Sequence, residues 1–427
     1  MTLTKPDYRP RLIDTEIHHH LQTFGAVCVE GPKWCGKTWA SLHHANSVIY
    51  IGSPENHFQN RTLAELSPDL VLSGEVPRLL DEWQEVPSLW DAVRHSVDQQ
   101  TEKGQFILTG SATTNHKGIL HSGAGRISRL RMRTMSLVES GHTTGQVSLR
   151  ALFDEPLKPY VTEPVSLDRW IELTVRGGWP GSIDLDFQQA RTVPGAYLQA
   201  LVEDDMYRVD GVSRNRRKVE MLLRSLARNE STIASNLSLR KDILEDEEID
   251  ITPKTIGDYL DMLDRLFLLE NQPAFNPNLR SSVRVGKSPK RHFVDPSLAV
   301  AAMGATPDML RNDLRTFGFL FEALVERDLR TYAETWGGKL FHYRDASDRE
   351  IDAVVELPDG RWGAFEIKLG GNQVDQAAEK LVALKKWMEA DPQARPPAIL
   401  GVICGIQNVA MTRPDGVLVI PASTLCP

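Results

Sequence analysis

The chain has 427 residues, of which 41% are hydrophobic and 25% charged, a composition typical of an ordinary globular protein with two or three domains. Its formal net charge of −8 excludes a uniformly cationic surface but still permits a local basic groove for nucleic acid. Because it has four cysteines without a C-x-x-C pair, no apolar leader and no apolar run near ~18 residues, we expect a cytoplasmic protein without disulfides or membrane contact.

The first motif follows a short apolar run at residues 26–29, which predicts a buried strand. Gly31, Gly36, Lys37 and Thr38 then match the G-x-x-x-x-G-K-[ST] spacing of a P-loop. The glycines let the backbone approach a polyphosphate, and N–H groups at the start of the next helix form an anion nest. Lys37 is expected to reach the β- and γ-phosphates, and the Thr38 hydroxyl to bind Mg²⁺. The predicted nucleotide-binding residues are Gly31, Pro32, Lys33, Trp34, Cys35, Gly36, Lys37, Thr38 and Trp39.

A second apolar strand, within residues 76–85, ends in the adjacent acids Asp81 and Glu82. Adjacent acids at a strand end are also common as solvated residues. After a P-loop, however, they predict a Walker-B arrangement, in which Asp81 holds Mg²⁺ and Glu82 polarises the attacking water. The two motifs together predict an ATPase that uses ATP and Mg²⁺.

Two later residues are further candidates for catalysis. Ser111 follows a strand predicted at 105–109, where its hydroxyl either senses the γ-phosphate or belongs to an ordinary turn. Arg126 follows a glycine-containing loop and is a candidate arginine finger, in this subunit or in a neighbour. A finger that acts on a neighbour would require a homo-oligomer, such as a hexameric ring, or a filament.

The segments GPKWCGKT, LLDEWQ, FILTGSA and GRISRLRMRTMSL resemble a known family. They are similar to prokaryotic AAA+-type ATPases that join a P-loop domain to a C-terminal region with a winged-helix-like part and a PD-(D/E)XK nuclease-like part. The resemblance implies that residues 36–38 bind phosphate and Mg²⁺ and that Asp81 and Glu82 serve hydrolysis. It also implies a glutamine at Gln84, two places after the glutamate, without indicating its task.

The middle of the chain predicts helices at residues 189–206 and 219–227, after a bridging stretch rich in glycine and proline. A third helix is predicted at 252–269, with Thr252 as its N-cap, and two strand-like runs with a basic loop follow it. This order outlines a winged helix, which either contacts DNA phosphates or docks to protein without DNA. The candidate DNA-contacting cations are Lys254, Arg280, Arg284, Lys287, Lys290 and Arg291, with Arg214, Arg216, Arg217 and Lys218 as a further basic cluster.

The last hundred residues predict a helix, three strands, a second helix and two more strands. Asp352 opens one strand, and Glu366 and Lys368 alternate on the next, so the three side chains are expected on one face. This set resembles the PD-(D/E)XK nuclease motif, with Glu322 as the upstream acid. Carboxylates with a nearby lysine suit a Mg²⁺ site that cleaves a phosphodiester. The alternative is a nuclease-like lobe that serves binding or oligomerisation and does not cut.

The sequence therefore predicts an α/β protein with an AAA+-like parallel-sheet domain (1–140), a helical and winged-helix-like region (141–305) and a restriction-endonuclease-like α/β domain (306–427). The predicted function is ATP hydrolysis coupled to a DNA-binding or nuclease-like C-terminal half, in DNA processing or remodelling. The alternative function is an ATP-dependent signalling or defence switch whose C-terminal half binds a protein partner and does not cut DNA.

Overall fold

The computed structural model describes residues 8–112, 119–207, 211–212, 214–244, 251–278, 281, 288–345 and 347–427. It is a mixed α/β structure with an N-terminal parallel sheet, which confirms the predicted fold class. Among the described residues, no helix has both the length and the apolar character needed to cross a membrane.

The chain forms two compact units. Unit 1 comprises the described residues within Met1–Thr134, Glu203–Arg214 and Asp261–Leu268, and unit 2 those within Met135–Val202, Asn215–Leu260 and Leu269–Pro427. The division into three domains at 1–140, 141–305 and 306–427 stays a prediction.

Unit 1 contains a sheet in which the described strands are parallel and lie in the order β2-β3-β4-β1-β5. The strands are β1 (Ala26–Glu30), β2 (Ser47–Tyr50), β3 (Arg78–Asp81), β4 (Phe106–Gly110) and β5 (Ile127–Arg131). The helices that accompany them are α1 (Ile13–Thr23), α2 (Lys37–His44), α3 (Gln59–Leu66), α4 (Pro68–Leu72) and α5 (Leu89–Asp98). The strands predicted at 26–29, within 76–85 and at 105–109 are confirmed.

The interior strand β1, between β4 and β5, is buried along its whole length because helices cover both faces of the sheet. Successive side chains of a strand point to opposite faces, so Val27 and Val29 enter one core with α1 and α2, and Cys28 enters another with α5. In a parallel sheet the carboxyl ends of the strands share one edge. Residues that follow β1, β3 and β4 are therefore brought together, although they are far apart in sequence.

Helices dominate the middle of the chain. They are α6 (Leu167–Arg176), α7 (Phe187–Ala190), α8 (Val193–Ala200), the π-helical turn Leu201–Asp205, α9 (Arg216–Arg228), α10 (Asn236–Leu244), α11 (Pro253–Arg265), α12 (Pro296–Met303) and α13 (Pro307–Asn312). The predicted N-cap of α11 is confirmed, since the Thr252 hydroxyl accepts the Thr255 N–H at 3.1 Å. The helix ends before residue 269, and Phe267 has a positive φ of 58° that does not continue a helix.

The strand-like runs after α11 are confirmed as a short antiparallel hairpin. Leu269 pairs with Phe293, and Gln272 pairs with Lys290. Two N–H groups complete this pairing, because Gln272 and Lys290 each donate to the other's carbonyl at 2.9 Å. We refer to residues 269–275 and 288–293 as the hairpin; whether it serves as the wing of a DNA-binding module stays a prediction.

The C-terminal part of unit 2 contains a mixed sheet in the order β7-β12-β13-β11-β10-β9-β8 over the described residues. Its strands are β7 (Tyr160–Val161), β8 (Lys339–Arg344), β9 (Glu350–Glu356), β10 (Trp362–Gly370), β11 (Ile399–Ile406), β12 (Val409–Thr412) and β13 (Leu418–Pro421), and β6 (Val147–Ser148) pairs separately with β14 (Leu425–Cys426). The helices α14 (Leu314–Glu334) and α15 (Val374–Glu389) both contact the sheet. The predicted order of helix, three strands, helix and further strands is confirmed, with β12 as an addition.

Candidate active site

The phosphate-binding loop joins the end of β1 to the start of α2. Gly36 has a φ of 101°, a conformation that disfavours residues with a Cβ. Gly31 is required for a different reason, because a Cβ there would lie 2.1 Å from the Met132 carbonyl oxygen. The two glycines of the motif are thus fixed by the loop conformation and by close packing.

Lys37 lies at the first position of α2 and is buried. Its ammonium group donates to the Pro32 carbonyl at 2.8 Å, across the loop. A bound phosphate would offer a charged acceptor in place of this carbonyl, and a charge-assisted hydrogen bond is the stronger one.

The other predicted loop residues are arranged differently. The Trp34 side chain is 67% exposed and Trp39 is also exposed, so neither indole fills the loop. Cys35 is buried and its thiol donates to the Met132 carbonyl at 3.7 Å. Lys33 forms an ion pair with Asp205 at 2.5 Å. Its charge is thus already matched within unit 1.

Asp81, at the end of β3, is held by two threonine hydroxyls. Thr38 and Thr109 donate to the same oxygen, Oδ1, at 2.8 and 2.7 Å. Burial raises the pKa of Asp81, and the two hydroxyl donors oppose this by favouring the charged form. A carboxylate beside a hydroxyl is an oxygen donor set that fits Mg²⁺. Thr38 and Asp81 are therefore the residues that would hold the ion.

Glu82 has φ 57° and ψ 47°, an uncommon left-handed conformation for this residue type. The turn sends Trp83 into the core, where its ring centroid lies 4.9 Å from that of Trp90. It also leaves the Glu82 N–H to donate to the Thr109 hydroxyl at 3.0 Å. Thr109, which sequence reasoning did not single out, thus supports both acids.

The Glu82 carboxylate is held by two side chains. Ser111, just after β4, donates to Oε2 at 3.0 Å, and Gln84 donates to the same oxygen. The Gln84 amide also lies 3.3 Å from the Ser111 hydroxyl. The structure therefore gives Gln84 a position, beside the predicted base, that its place in the motif did not reveal.

Arg126 lies near the amino ends of the parallel strands, whereas the loop lies at their carboxyl ends. Its carbonyl accepts the Ala26 N–H, at the beginning of β1, whereas the loop follows the end of that strand. Five residues of strand span about 16 Å, so the guanidinium does not reach phosphates bound in the same chain. Its Nε donates to Asp98 at 2.8 Å. The prediction of a finger in this subunit is wrong; action on a neighbour stays a prediction.

The second predicted site lies in unit 2. Ala353 and Phe365 are paired in the antiparallel register of β9 and β10, which places Asp352 opposite Glu366. Lys368 bridges these two acids, with its ammonium 2.8 Å from Asp352 Oδ2 and 2.8 Å from Glu366 Oε2. The predicted convergence of the three side chains is confirmed, whereas their role in cleavage is a prediction.

Glu322, on α14, is linked to the second predicted site by Lys290 of the hairpin. The Lys290 ammonium contacts Glu322, donates to Glu326 Oε1 at 2.8 Å and lies 3.3 Å from the Asp352 carbonyl. Lys290 is 6% exposed, so the prediction that it contacts DNA phosphates is wrong. Lys290, which the sequence places in a basic loop, is a buried cation paired with Glu322 and Glu326.

The other predicted DNA-contacting cations have different outcomes. Arg291 donates to the Asn236 side chain at 2.9 Å and is partly buried. Lys254 is exposed, 3.7 Å from Asp258. The positions Arg280, Arg284 and Lys287 lie outside the described residues.

The carboxylates of the predicted nuclease-like site and the adjacent Glu326 do not fit a divalent ion as they are arranged. Their oxygens accept hydrogen bonds from the ammonium groups of Lys290, Lys368 and Lys380. Within the described residues, no three or more His, Cys, Asp and Glu side chains are placed to hold a metal ion. The nuclease-like interpretation therefore lacks the metal geometry that its chemistry needs.

The parallel sheet, the loop after β1 and the two acids after β3 have the arrangement of a P-loop domain. Residues 23–140 match the family model described as AAA domain. Residues 167–309 and 317–425 match two models described as domains of unknown function, DUF8612 and DUF4143.

Relatives are found among mycobacterial proteins. Uncharacterized proteins of Mycobacterium tuberculosis and Mycobacterium bovis are each 24% identical over 346 residues, which cover 80% of this chain and 70% of theirs. Among solved structures, a Walker-type ATPase of Pyrococcus abyssi is similar with a TM-score of 0.43 and 12% sequence identity, over 70% of this chain and 97% of that one.

Proposed function

We propose that the protein is a Mg²⁺-dependent ATPase that uses hydrolysis as a switch. The observation that carries this proposal is the linked pair of acids after β3. Asp81 is tied to the loop by the 2.8 Å bond from Thr38, and Glu82 is tied to β4 by the 3.0 Å bond from Ser111. Groups that serve metal and water are thereby fixed at one edge of the sheet.

The loop binds the phosphates of ATP. Its N–H groups and the start of α2 favour negative charge, and Lys37 exchanges the Pro32 carbonyl for a phosphate oxygen. When bound, Mg²⁺ would neutralise part of the phosphate charge. Thr38 and Asp81 provide the protein oxygens for it.

Glu82 accepts the proton of the attacking water. Its Oε2 is held by Ser111 and Gln84, which leaves Oε1 for the water. A carboxylate fixed in this way has less freedom to turn away from the reaction. Ser111 and Gln84 therefore act through Glu82, as positioning residues.

The output of the switch is contact with a macromolecular partner through the rest of the chain. ATP and its products differ in the contacts they make with the loop and the acids, and this difference biases the conformation of the domain. We favour a partner bound without cleavage over DNA cutting, because Lys290 and Lys380, which do not belong to the predicted motif, bind its carboxylates Glu322 and Glu366.

The test measures ATP turnover by the full chain, alone and with forked, single-stranded or duplex DNA. The proposal predicts Mg²⁺-dependent turnover that is lost in Lys37→Ala. Stimulation by DNA that falls steeply with salt would identify DNA as the partner. Indifference to every DNA form would favour a protein partner. A folded wild-type protein without turnover under all these conditions contradicts the proposal.

A further inference from the structure

Four carboxylates and three lysines form one ionic cluster in unit 2. The carboxylates belong to Glu322 and Glu326 of α14, Asp352 of β9 and Glu366 of β10, and the lysines are Lys290, Lys368 and Lys380. We call this set the acid cluster. Glu326 and Glu366 are each 1% exposed, so solvent screens their charges very little.

The acids would repel one another without the lysines. Asp352 and Glu366 face each other across β9 and β10, and like charges in that position destabilise a sheet. Glu322 and Glu326 are one helical turn apart, on the same face of α14. Lys368 lies between the first two acids, and Lys290 bonds both members of the second pair.

Lys290 differs from the other two lysines in the structural element that carries it. Lys368 and Lys380 lie on β10 and α15, whereas Lys290 belongs to the hairpin. The hairpin precedes residues 314–427 in the chain, which we refer to as the C-terminal lobe. Its ammonium also lies 3.3 Å from the Asp352 carbonyl. One hairpin side chain thus contacts both the helix and the strand that carry the acids.

Burial and the lysine charges act in opposite directions on the pKa values of these acids. Burial raises the pKa of Glu322, Glu326 and Glu366. Burial alone would raise the pKa of Asp352 too, but Lys368 and Lys290 outweigh it and lower that pKa. The four acids outnumber the lysines by one. A divalent ion would therefore bring two charges to a cluster that is nearly balanced, and would have to displace ammonium groups from its oxygens.

We propose that Lys290 takes the place of a divalent cation in the acid cluster, so that the hairpin closes the cluster to metal and clamps itself to the C-terminal lobe. The lobe then folds without metal and does not cleave phosphodiesters. Removal of the ammonium opens the cluster to a divalent ion.

The first experiment counts Mn²⁺ bound to the full-length protein from the loss of free-ion signal in electron paramagnetic resonance. Wild type and Asp352→Asn are compared, so that an ion held elsewhere, including at Asp81, contributes equally to both. The exposed Asp359→Asn is the matched control. We expect the same number of bound ions in the three proteins; an ion present in wild type and lost specifically in Asp352→Asn overturns the proposal.

The second experiment uses Lys290→Met, which keeps much of the side-chain length and removes the charge. We expect its melting temperature to fall by several degrees, because unpaired carboxylates remain buried. We also expect Mn²⁺ to restore part of that loss and one additional ion to be bound, both of which a further Asp352→Asn abolishes. Lys254→Met, at an exposed cation, should change neither quantity.

A folded Lys290→Met that gains no Asp352-dependent ion overturns the claim that Lys290 closes the cluster. If Lys290→Met does not fold, Lys290→Met with Glu326→Gln removes one charge of each sign and takes its place. Glu322, Asp352 and Glu366 then remain as ligands, and the same additional ion is expected. Its absence from this folded variant contradicts the proposal equally.

Discussion

Ser111 and Glu82 are 29 residues apart in the chain, yet the Ser111 hydroxyl donates to the Glu82 carboxylate at 3.0 Å. The contact exists because β3 and β4 are neighbouring parallel strands whose carboxyl ends share one edge. Gln84 donates to the same oxygen from the turn that follows β3. The residue proposed to act on water is thus held by two elements of the sheet.

Glu82→Gln should bind ATP with near wild-type affinity and hydrolyse it about 10² to 10⁴ times more slowly, the range for loss of a general base. The amide keeps the size of the side chain but does not accept a proton. Single-turnover hydrolysis and nucleotide binding separate the two effects. Glu85→Gln, at an exposed position in the same turn, is the control. Unchanged turnover in Glu82→Gln would remove it from the mechanism.

Gln84→Ala should lower kcat about tenfold with little change in KM, since one hydrogen bond of roughly 1–1.5 kcal/mol positions the base. Gln84→Glu should be slower still, because it places a second negative charge beside Glu82. The exposed Gln100→Ala serves as the control. Steady-state kinetics of Gln84→Ala and Gln84→Glu measure these effects. Equal kcat values in Gln84→Ala and wild type would show that the Gln84 contact has no part in turnover.

Arg126→Ala should lower turnover about 10³-fold if Arg126 serves a neighbouring subunit as an arginine finger. Arg94→Ala is a close control, because Arg94 and Arg126 both contact Asp98, at 2.8 Å each. Activity per subunit should also rise with protein concentration. Full activity of Arg126→Ala, or activity independent of concentration down to a verified monomer, would exclude the finger.

Asp14 predicts a pH dependence of stability in unit 1. Burial alone would raise the pKa of Asp14, but hydrogen bonds from His44, the Arg11 N–H and Tyr8 outweigh burial and lower it. A carboxyl with a lowered pKa in the folded state stabilises the protein above its unfolded value of about 3.9, and this stabilisation is lost as the pH falls through the folded value.

Wild type should therefore exceed Asp14→Asn in unfolding free energy by about 1 kcal/mol at pH 7, and the difference should shrink below about pH 4. Urea unfolding at pH 7 and pH 3 measures it, with the exposed Asp69→Asn as control. A difference that persists unchanged at pH 3 would show that the Asp14 carboxylate charge is not the source.

Short sequence patterns predicted the parts of the fold that depend on interactions between nearby residues. The apolar run before Gly31 and the spacing to Lys37 predicted β1, the loop and α2, because strand burial and the glycine conformations are set within a dozen residues. The alternation of Glu366 and Lys368 predicted their shared face for the same reason.

Sequence patterns did not predict contacts between segments that are far apart in the chain. Lys290 stands among cations that indicate a solvated loop, but its acid partners are 32 and 36 residues further along the chain. Arg126 lies near the amino ends of the strands because β5 pairs with β1 in parallel register. Gln84 and Thr109 acquired positions beside the acids through strand order, which no single motif specifies.

Nucleotide binding to the loop is tested most directly by calorimetric titration of ATP into the purified, folded chain at millimolar Mg²⁺, with Lys37→Ala as the matched variant. We predict saturable binding of one ATP per chain to wild type and a loss of at least tenfold in affinity in Lys37→Ala, because a charge-assisted contact with the phosphates is removed. Folded wild-type protein that binds no ATP, or binds it equally well without the Lys37 ammonium, would contradict a P-loop ATPase.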